Sequence, residues 1–150
     1  MTNRLLLLTT LLCGACGSDP FIGTYNVTVT GTETETAPRN AMRTINGLGT
    51  VSVSQNKDRN GYIIVLGEPS YLCRLTATRG SSGGGLELDL PGGQTCNVQG
   101  YSGTAADAKL TIDPQTLSSV TLTVPYAFTY TATFENHAGT GTRTYTGPRL

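Results

Sequence analysis

From Phe21 onward, apolar and polar residues alternate with a period of two, the spacing that turns successive side chains to opposite faces of a β-strand. In "YNVTVTGT", Tyr25, Val27 and Val29 alternate with Asn26, Thr28 and Thr30. "TVSVS" repeats the pattern with Val51 and Val53, "LELDL" sets Leu86, Leu88 and Leu90 against Glu87 and Asp89, and "KLTID" turns Leu110 and Ile112 to one face. The longest run, "VTLTVPYAFTYTATF", places Val120, Leu122, Val124, Tyr126, Phe128, Tyr130 and Phe134 on one parity, with mainly threonines on the other. Pro125 has no N–H to give to a ladder, so it marks an edge, a bulge or a bend in that strand.

Breaks fall at "DRNG" (58–61), "GEPS" (67–70), "RGSSGGG" (79–85), "LPGG" (90–93), "DPQT" (113–116) and "NHAGTG" (136–141), all built from turn-favouring residues. The Asn-Gly pair of "RNGY" favours a tight hairpin. No segment after residue 20 has helical periodicity; "TAADAK" (104–109) forms one turn at most. The pattern therefore predicts an all-β chain of about eight to ten short strands. Closely spaced antiparallel strands must hide their edges, by closing into a barrel or by stacking as two sheets. The last run, "TGTRTYTG" (140–147), resembles the first in character and is suited to pair with it. That favours a small antiparallel up-and-down β-barrel, with a β-sandwich as the second solution.

The N-terminus carries a different signal. "MTNRLLLLTTLLCGACGSDP" has one Arg4, an apolar run from Leu5 to Leu12 and then small residues, the organisation of an export signal. The run is far shorter than the roughly 20 apolar residues a membrane-spanning helix needs. Residues 1–15 are accordingly set apart from the fold. Within this stretch "LLCGAC" resembles the lipobox of bacterial lipoproteins, with Gly14 and Ala15 as the small residues before the cleavage point. The resemblance implies that Cys16 is acylated and becomes the new N-terminus. Residues 16–20 are then a lipidated end with a short linker, and residues 21–150 a single barrel domain. It also implies an exported protein anchored to a bacterial membrane, the outer membrane or cell surface rather than the inner membrane. The alternative is ordinary secretion with Cys16 left as a thiol. Near the start of the domain, "FIGTYNV" is similar to the Gly-x-Trp opening of lipocalins, with Tyr25 in the Trp position. This resemblance implies a small lipocalin-like barrel.

Charge and cysteine content narrow the classes of function. Charged residues are 13% of the chain, ten basic against ten acidic, so no basic face invites nucleic acid. Cys13 leaves with the signal and Cys16 takes lipid. Cys73 and Cys96 remain as an even pair in an oxidising compartment, where such pairs bond; two buried thiols are the other reading. If each headed a strand with a third strand between them, they would lie about 10 Å apart, beyond the roughly 7 Å that a bridge tolerates. A bond thus requires "PGGQTC" to fold back over the end of the sheet.

Reactive groups are few. His137, the one histidine, falls in the "NHAGTG" break and reads as a solvated loop residue. Gly80, Ser82 and Gly84 satisfy Gly-x-Ser-x-Gly formally, but a nucleophile elbow needs a following helix and here "LELDL" follows. One histidine and two paired cysteines do not make a zinc site. Glu33 and Glu35 share a strand face near its end and read as a solvated terminus. No cofactor, metal or catalytic residue is expected. The sequence thus points to a non-catalytic envelope lipoprotein, a structural or interaction module tethered to a membrane. The second reading is a lipocalin-like carrier with a small apolar ligand inside the barrel, lined by Tyr25, Tyr126, Phe128, Tyr130 and Phe134.

Overall fold

The computed structural model describes residues 19–69, 71–81, 85–98 and 100–150. Cys16, the expected export signal and Ser82 lie outside the described residues. Ten strands make up the fold, and the described residues contain no α-helix: β1 (Gly23–Ala37), β2 (Ala41–Gln55), β3 (Tyr62–Glu68), β4 (Tyr71–Arg79), β5 (Glu87–Leu90), β6 (Thr95–Val98), β7 (Tyr101–Ala105), β8 (Ala108–Ile112), β9 (Ser119–Ala132) and β10 (Glu135–Pro148). All pairings are antiparallel. β1, β2, β3, β4, β5, β8, β9 and β10 follow one another around a ring that closes where β10 pairs with β1. The expected pairing of the last run with the first is therefore observed, with Thr28 opposite Thr146 and Val29 opposite Tyr145, and the structure is a barrel rather than a sandwich.

The up-and-down order has one interruption, the β6–β7 hairpin between β5 and β8, and the wall is spliced on either side of it. One edge of β9 pairs with β8 through Val120–Thr123 and then with β7 through Tyr126–Tyr130. Pro125 stands at the changeover. Its carbonyl accepts the Ala106 N–H at 2.8 Å, and its missing N–H falls where neither neighbour offers a ladder partner. On the other side, β4 pairs with β5 only at Thr78 and Arg79. The rest of that edge lies beside β6, across a seam that other groups close. Cys73 and Cys96 are disulfide-bonded with their Cα atoms 5.0 Å apart. The Gln94 side chain stands in for a backbone amide, its Oε1 accepting the Thr76 N–H at 2.6 Å and its Nε2 donating to the Thr76 carbonyl at 2.9 Å.

The spacing objection to the disulfide is removed by the fold-back it required. At Gly93 the backbone takes a φ of 81°, in the region that favours glycine. A Cβ on Gly92 would sit 2.9 Å from the Asp107 backbone nitrogen. The chain can thus reverse against the β7–β8 connection and lay β6 on the part of β4 that β5 leaves vacant.

Two expectations are corrected. Four strands are long, at 14 or 15 residues, and "NHAGTG" is not a break but the first part of β10. The turn comes earlier, at Thr133 and Phe134, whose φ values of 50° and 66° are those of a mirror-image two-residue hairpin turn. The glycines misled the reading because they serve packing. Gly139 and Gly141 lie opposite Phe128 and Tyr126, and a Cβ on either would come within 2.6 to 2.8 Å of those rings.

Alternation sorts the side chains as predicted. Val27, Val29, Val51, Val53, Ile64 and Leu66, with Leu75, Leu88, Leu110, Ile112, Val120 and Leu122, are buried inside one half of the barrel. Threonines coat the outside in rows that cross the strands, as in Thr28, Thr146, Thr121 and Thr111. Phe21 plugs the end where β1 starts, fully buried and edge-on to Tyr62 at 5.7 Å between centroids.

Candidate functional site: an aromatic and ionic cluster in the barrel interior

Past Val29 the inward face of β1 continues through Gly31, Glu33 and Glu35, and the barrel lining changes from aliphatic to charged and aromatic. Register places Arg143 opposite Gly31, Gly141 opposite Glu33 and Gly139 opposite Glu35. Tyr126, Phe128 and Tyr130 follow on β9, and Tyr101 on β7 faces Tyr130. Glu68 and Tyr71 close the cluster from β3 and β4.

Glu33 is only 2% exposed, and a carboxylate in such a place is tolerated only when its oxygens are filled by donors. Its Oε1 accepts from Arg143 Nη2 at 3.1 Å and from the Tyr126 hydroxyl, and its Oε2 accepts from Arg43. Arg143, 8% exposed, also donates through Nη1 to Glu68 Oε1 at 3.0 Å, an oxygen shared with the Tyr145 hydroxyl at 2.8 Å. The Arg143 guanidinium lies 4.4 Å from the centroid of the Tyr71 ring, a cation–π placement that strengthens when water is excluded. Burial, then the hydrogen bond to Glu33, pushes the Tyr126 hydroxyl well above the ordinary tyrosine range, so it stays a neutral donor. Burial does the same to Tyr101 and Tyr145. Among the described residues Tyr101 Oη and Arg143 Nε are the two buried side-chain polar atoms without a hydrogen-bond partner.

Toward the mouth, Tyr101, Phe128 and Tyr130 stack with centroids 5.7 to 6.4 Å apart. His137 completes the row. Its ring lies 4.5 Å from that of Tyr130 and nearly parallel to it, and its Nδ1 is 2.8 Å from Glu35 Oε1 while the Tyr130 hydroxyl donates to Glu35 Oε2 at 3.1 Å. This corrects the reading of His137 as a solvated loop residue, and of Glu33 and Glu35 as a solvated strand terminus. The hydrogen bond from His137, then that from Tyr130, holds Glu35 below the usual carboxyl range against the opposing effect of burial. Because the folded-state pKa lies below the ordinary 4.5, the stabilisation is fully present above that value and is lost as pH falls through the lower one. Glu35→Gln should therefore be less stable than the parent in urea unfolding at neutral pH. The difference should shrink to nothing in strong acid; a gap independent of pH would show that this carboxylate contributes no charge-dependent stability.

The residues proposed to line a ligand site are divided. Tyr126, Phe128 and Tyr130 lie together in the cluster. Tyr25 is at the other end, its hydroxyl donating to the carbonyls of Pro20 at 3.1 Å and Phe21 at 3.0 Å. Phe134 is fully exposed at the β9–β10 turn. As the second residue of that turn, after β9 ends at Ala132, it no longer shares the inward parity. Free space around Arg143 and Tyr126 is about 10 Å³, and the cleft bounded by Glu33, Glu35, Arg43 and Phe128 is about 80 Å³. Both fall short of the roughly 300 Å³ of a small-ligand pocket. Two larger hollows, of about 690 and 620 Å³, are present, one beside Pro91, Lys109 and Pro125, the other bounded by Asn97, Ser102 and Asn136 together with Tyr101, Tyr130 and His137 at the mouth of the cluster. No group of three or more metal-ligating side chains converges among the described residues. No protein-family model matches the chain, and no curated protein matches it.

Proposed function

We propose that this chain is a non-catalytic lipoprotein of a bacterial envelope, a barrel module anchored through Cys16 that acts by structure or by contact with a partner. The observation that carries this reading is the filled interior. Where a carrier of this size would hold its ligand, Tyr126, Arg143, Glu33, Glu68 and Tyr145 hydrogen-bond to one another, and they take up an interior that in an eight-stranded barrel accommodates either side chains or one small ligand. A disulfide that closes the wall fits an exported domain, as does the lipobox-like N-terminus. The carrier reading draws no support from the interior volumes.

The test is the mass of the N-terminal peptide of protein purified from its own membranes. Peptides beginning at Cys16 and carrying fatty acyl chains are expected, and Cys16→Ser should move the protein out of the membrane fraction. An N-terminal peptide free of acyl groups would overturn the anchor. Native mass spectrometry of the same preparation should give the protein mass alone; a co-purifying apolar molecule would restore the carrier.

A further inference from the structure

The chain is fastened to the barrel almost as soon as it leaves the proposed anchor. Asp19 Oδ2 accepts from the Tyr62 hydroxyl at 2.5 Å and from Arg79 Nη2 at 2.8 Å, and Asp19 Oδ1 accepts the Phe21 N–H at 3.0 Å. Phe21 is buried beneath the Arg79 guanidinium, 5.3 Å from its ring centroid. Asp19 is therefore a fixed point on the end of the barrel where β1 begins. Only Gly17 and Ser18 separate it from Cys16, and three residue steps reach about 10 Å at most.

That same end carries two exposed leucines. Leu117, in the β8–β9 connection, is 51% exposed, and Leu150 at the C-terminus is 76% exposed. Backbone hydrogen bonds bring their segments together: Arg149 N–H donates to the Ser118 carbonyl at 2.6 Å, and Leu150 N–H to the Thr24 carbonyl at 2.8 Å. Leu117 has a φ of 52°, a conformation that Gly or Asn adopts readily and a bulky side chain does not. The Leu117 N–H closes the turn on the Asp113 carbonyl at 2.9 Å, while half of the residue faces water. Exposed apolar side chains on the end that carries a lipid anchor have a physical rationale if the bilayer surface covers them.

We infer that this end of the barrel is a membrane-contact surface, with Leu117 and Leu150 seated at the level of the lipid headgroups beside the Cys16 anchor. The inference rests on the lipid-anchor reading and adds an orientation to it. The acyl chains supply the attachment, and the two leucines restrict the tilt of the domain. The opposite end, where the β9–β10 turn exposes Phe134, then points away from the bilayer. The 15 residues of β1 extend about 50 Å, or about 35 to 40 Å along a barrel axis at the usual strand tilt, which keeps Phe134 clear of the lipid.

The chain contains no tryptophan, so a single introduced one reports its own surroundings. The full mature chain from Cys16 onward is coupled through the Cys16 thiol to maleimide-bearing phosphatidylethanolamine, in phosphatidylcholine and phosphatidylglycerol vesicles with or without brominated acyl chains. Leu117→Trp and Leu150→Trp should lose most of their emission on the brominated vesicles, and Phe134→Trp should be unchanged. Leu117→Asn should unfold at the parent's temperature or higher, and should weaken the quenching of Leu150→Trp. Unquenched tryptophans at 117 and 150, or a quenched one at 134, would overturn the orientation. Chemical coupling replaces biological acylation here, so such a result would count against the contact surface alone. The anchor itself stands or falls with the N-terminal peptide mass.

Discussion

Arg143→Met should lower the unfolding free energy by about 3 kcal/mol in urea denaturation at neutral pH, toward the low end of the range for breaking a buried ion pair. Arg143 is the cation shared by Glu33 and Glu68, donating to one through Nη2 and to the other through Nη1. Methionine keeps much of the volume and the contact with the Tyr71 ring, so most of the loss is electrostatic. Two features hold the loss down. Glu33 keeps the Tyr126 hydroxyl and Arg43, and Glu68 keeps the Tyr145 hydroxyl, so neither carboxylate is left bare. The change also removes Arg143 Nε, which has no partner in the parent. A double-mutant cycle separates the pair from its surroundings: Glu68→Gln should cost markedly less on the Arg143→Met background than alone, with a coupling of about 1 kcal/mol or more. A loss below about 1 kcal/mol for Arg143→Met would mean that water reaches the cluster and screens it as it screens a surface pair.

Most of the barrel is legible in the sequence, because a half-buried strand writes its burial directly into its alternation. The parity of Tyr25, Val27 and Val29, of Leu110 and Ile112, and of Val120 through Phe128 is the parity of the interior. The cluster was hidden by the rule that makes strands visible. Hydrophobic alternation stops at Val29, yet the inward parity runs on through Glu33 and Glu35, and Arg143 shares the parity of buried Tyr145. A charged residue on the core side of a strand looks like the end of the pattern unless a counter-charge is known to face it. The counter-charge that faces Glu33 inside the barrel is Arg143, 110 residues away along the chain, so this pairing cannot be read from local sequence. The glycines of β10 illustrate the same limit. Gly139 and Gly141 have the composition of a turn, and only the rings of Phe128 and Tyr126 across the ladder show that they are spaces for aromatic side chains.

Removing the disulfide with paired Cys73→Ala and Cys96→Ala substitutions should cost about 3 kcal/mol, the chain-entropy value for closing a loop of this length; the bonded residues are 23 apart. The loss should also have a location. Along β4 only Thr78 and Arg79 have ladder partners on the edge toward β5, and beyond them the seam with β6 is held by the disulfide and by Gln94 on Thr76. Without the bond, the β6–β7 hairpin remains attached through its five ladder pairs with β9, Tyr101–Ala105 against Tyr126–Tyr130, and through the stacking of Tyr101 on Phe128. Amide exchange should therefore quicken most in Thr95–Val98, less in β7, and little in β1 and β10, whose mutual pairing lies on the far side of the ring. Uniform acceleration of all strands would instead indicate that the bond acts on the unfolded chain alone, and unchanged exchange in β6 would show that Gln94 suffices to close the seam. The arrangement also explains why an eight-stranded ring contains a hairpin outside its order. β5 is only four residues long and covers one end of β4, so the other end needs a second strand, and a covalent bond substitutes for the ladder that the splice does not form.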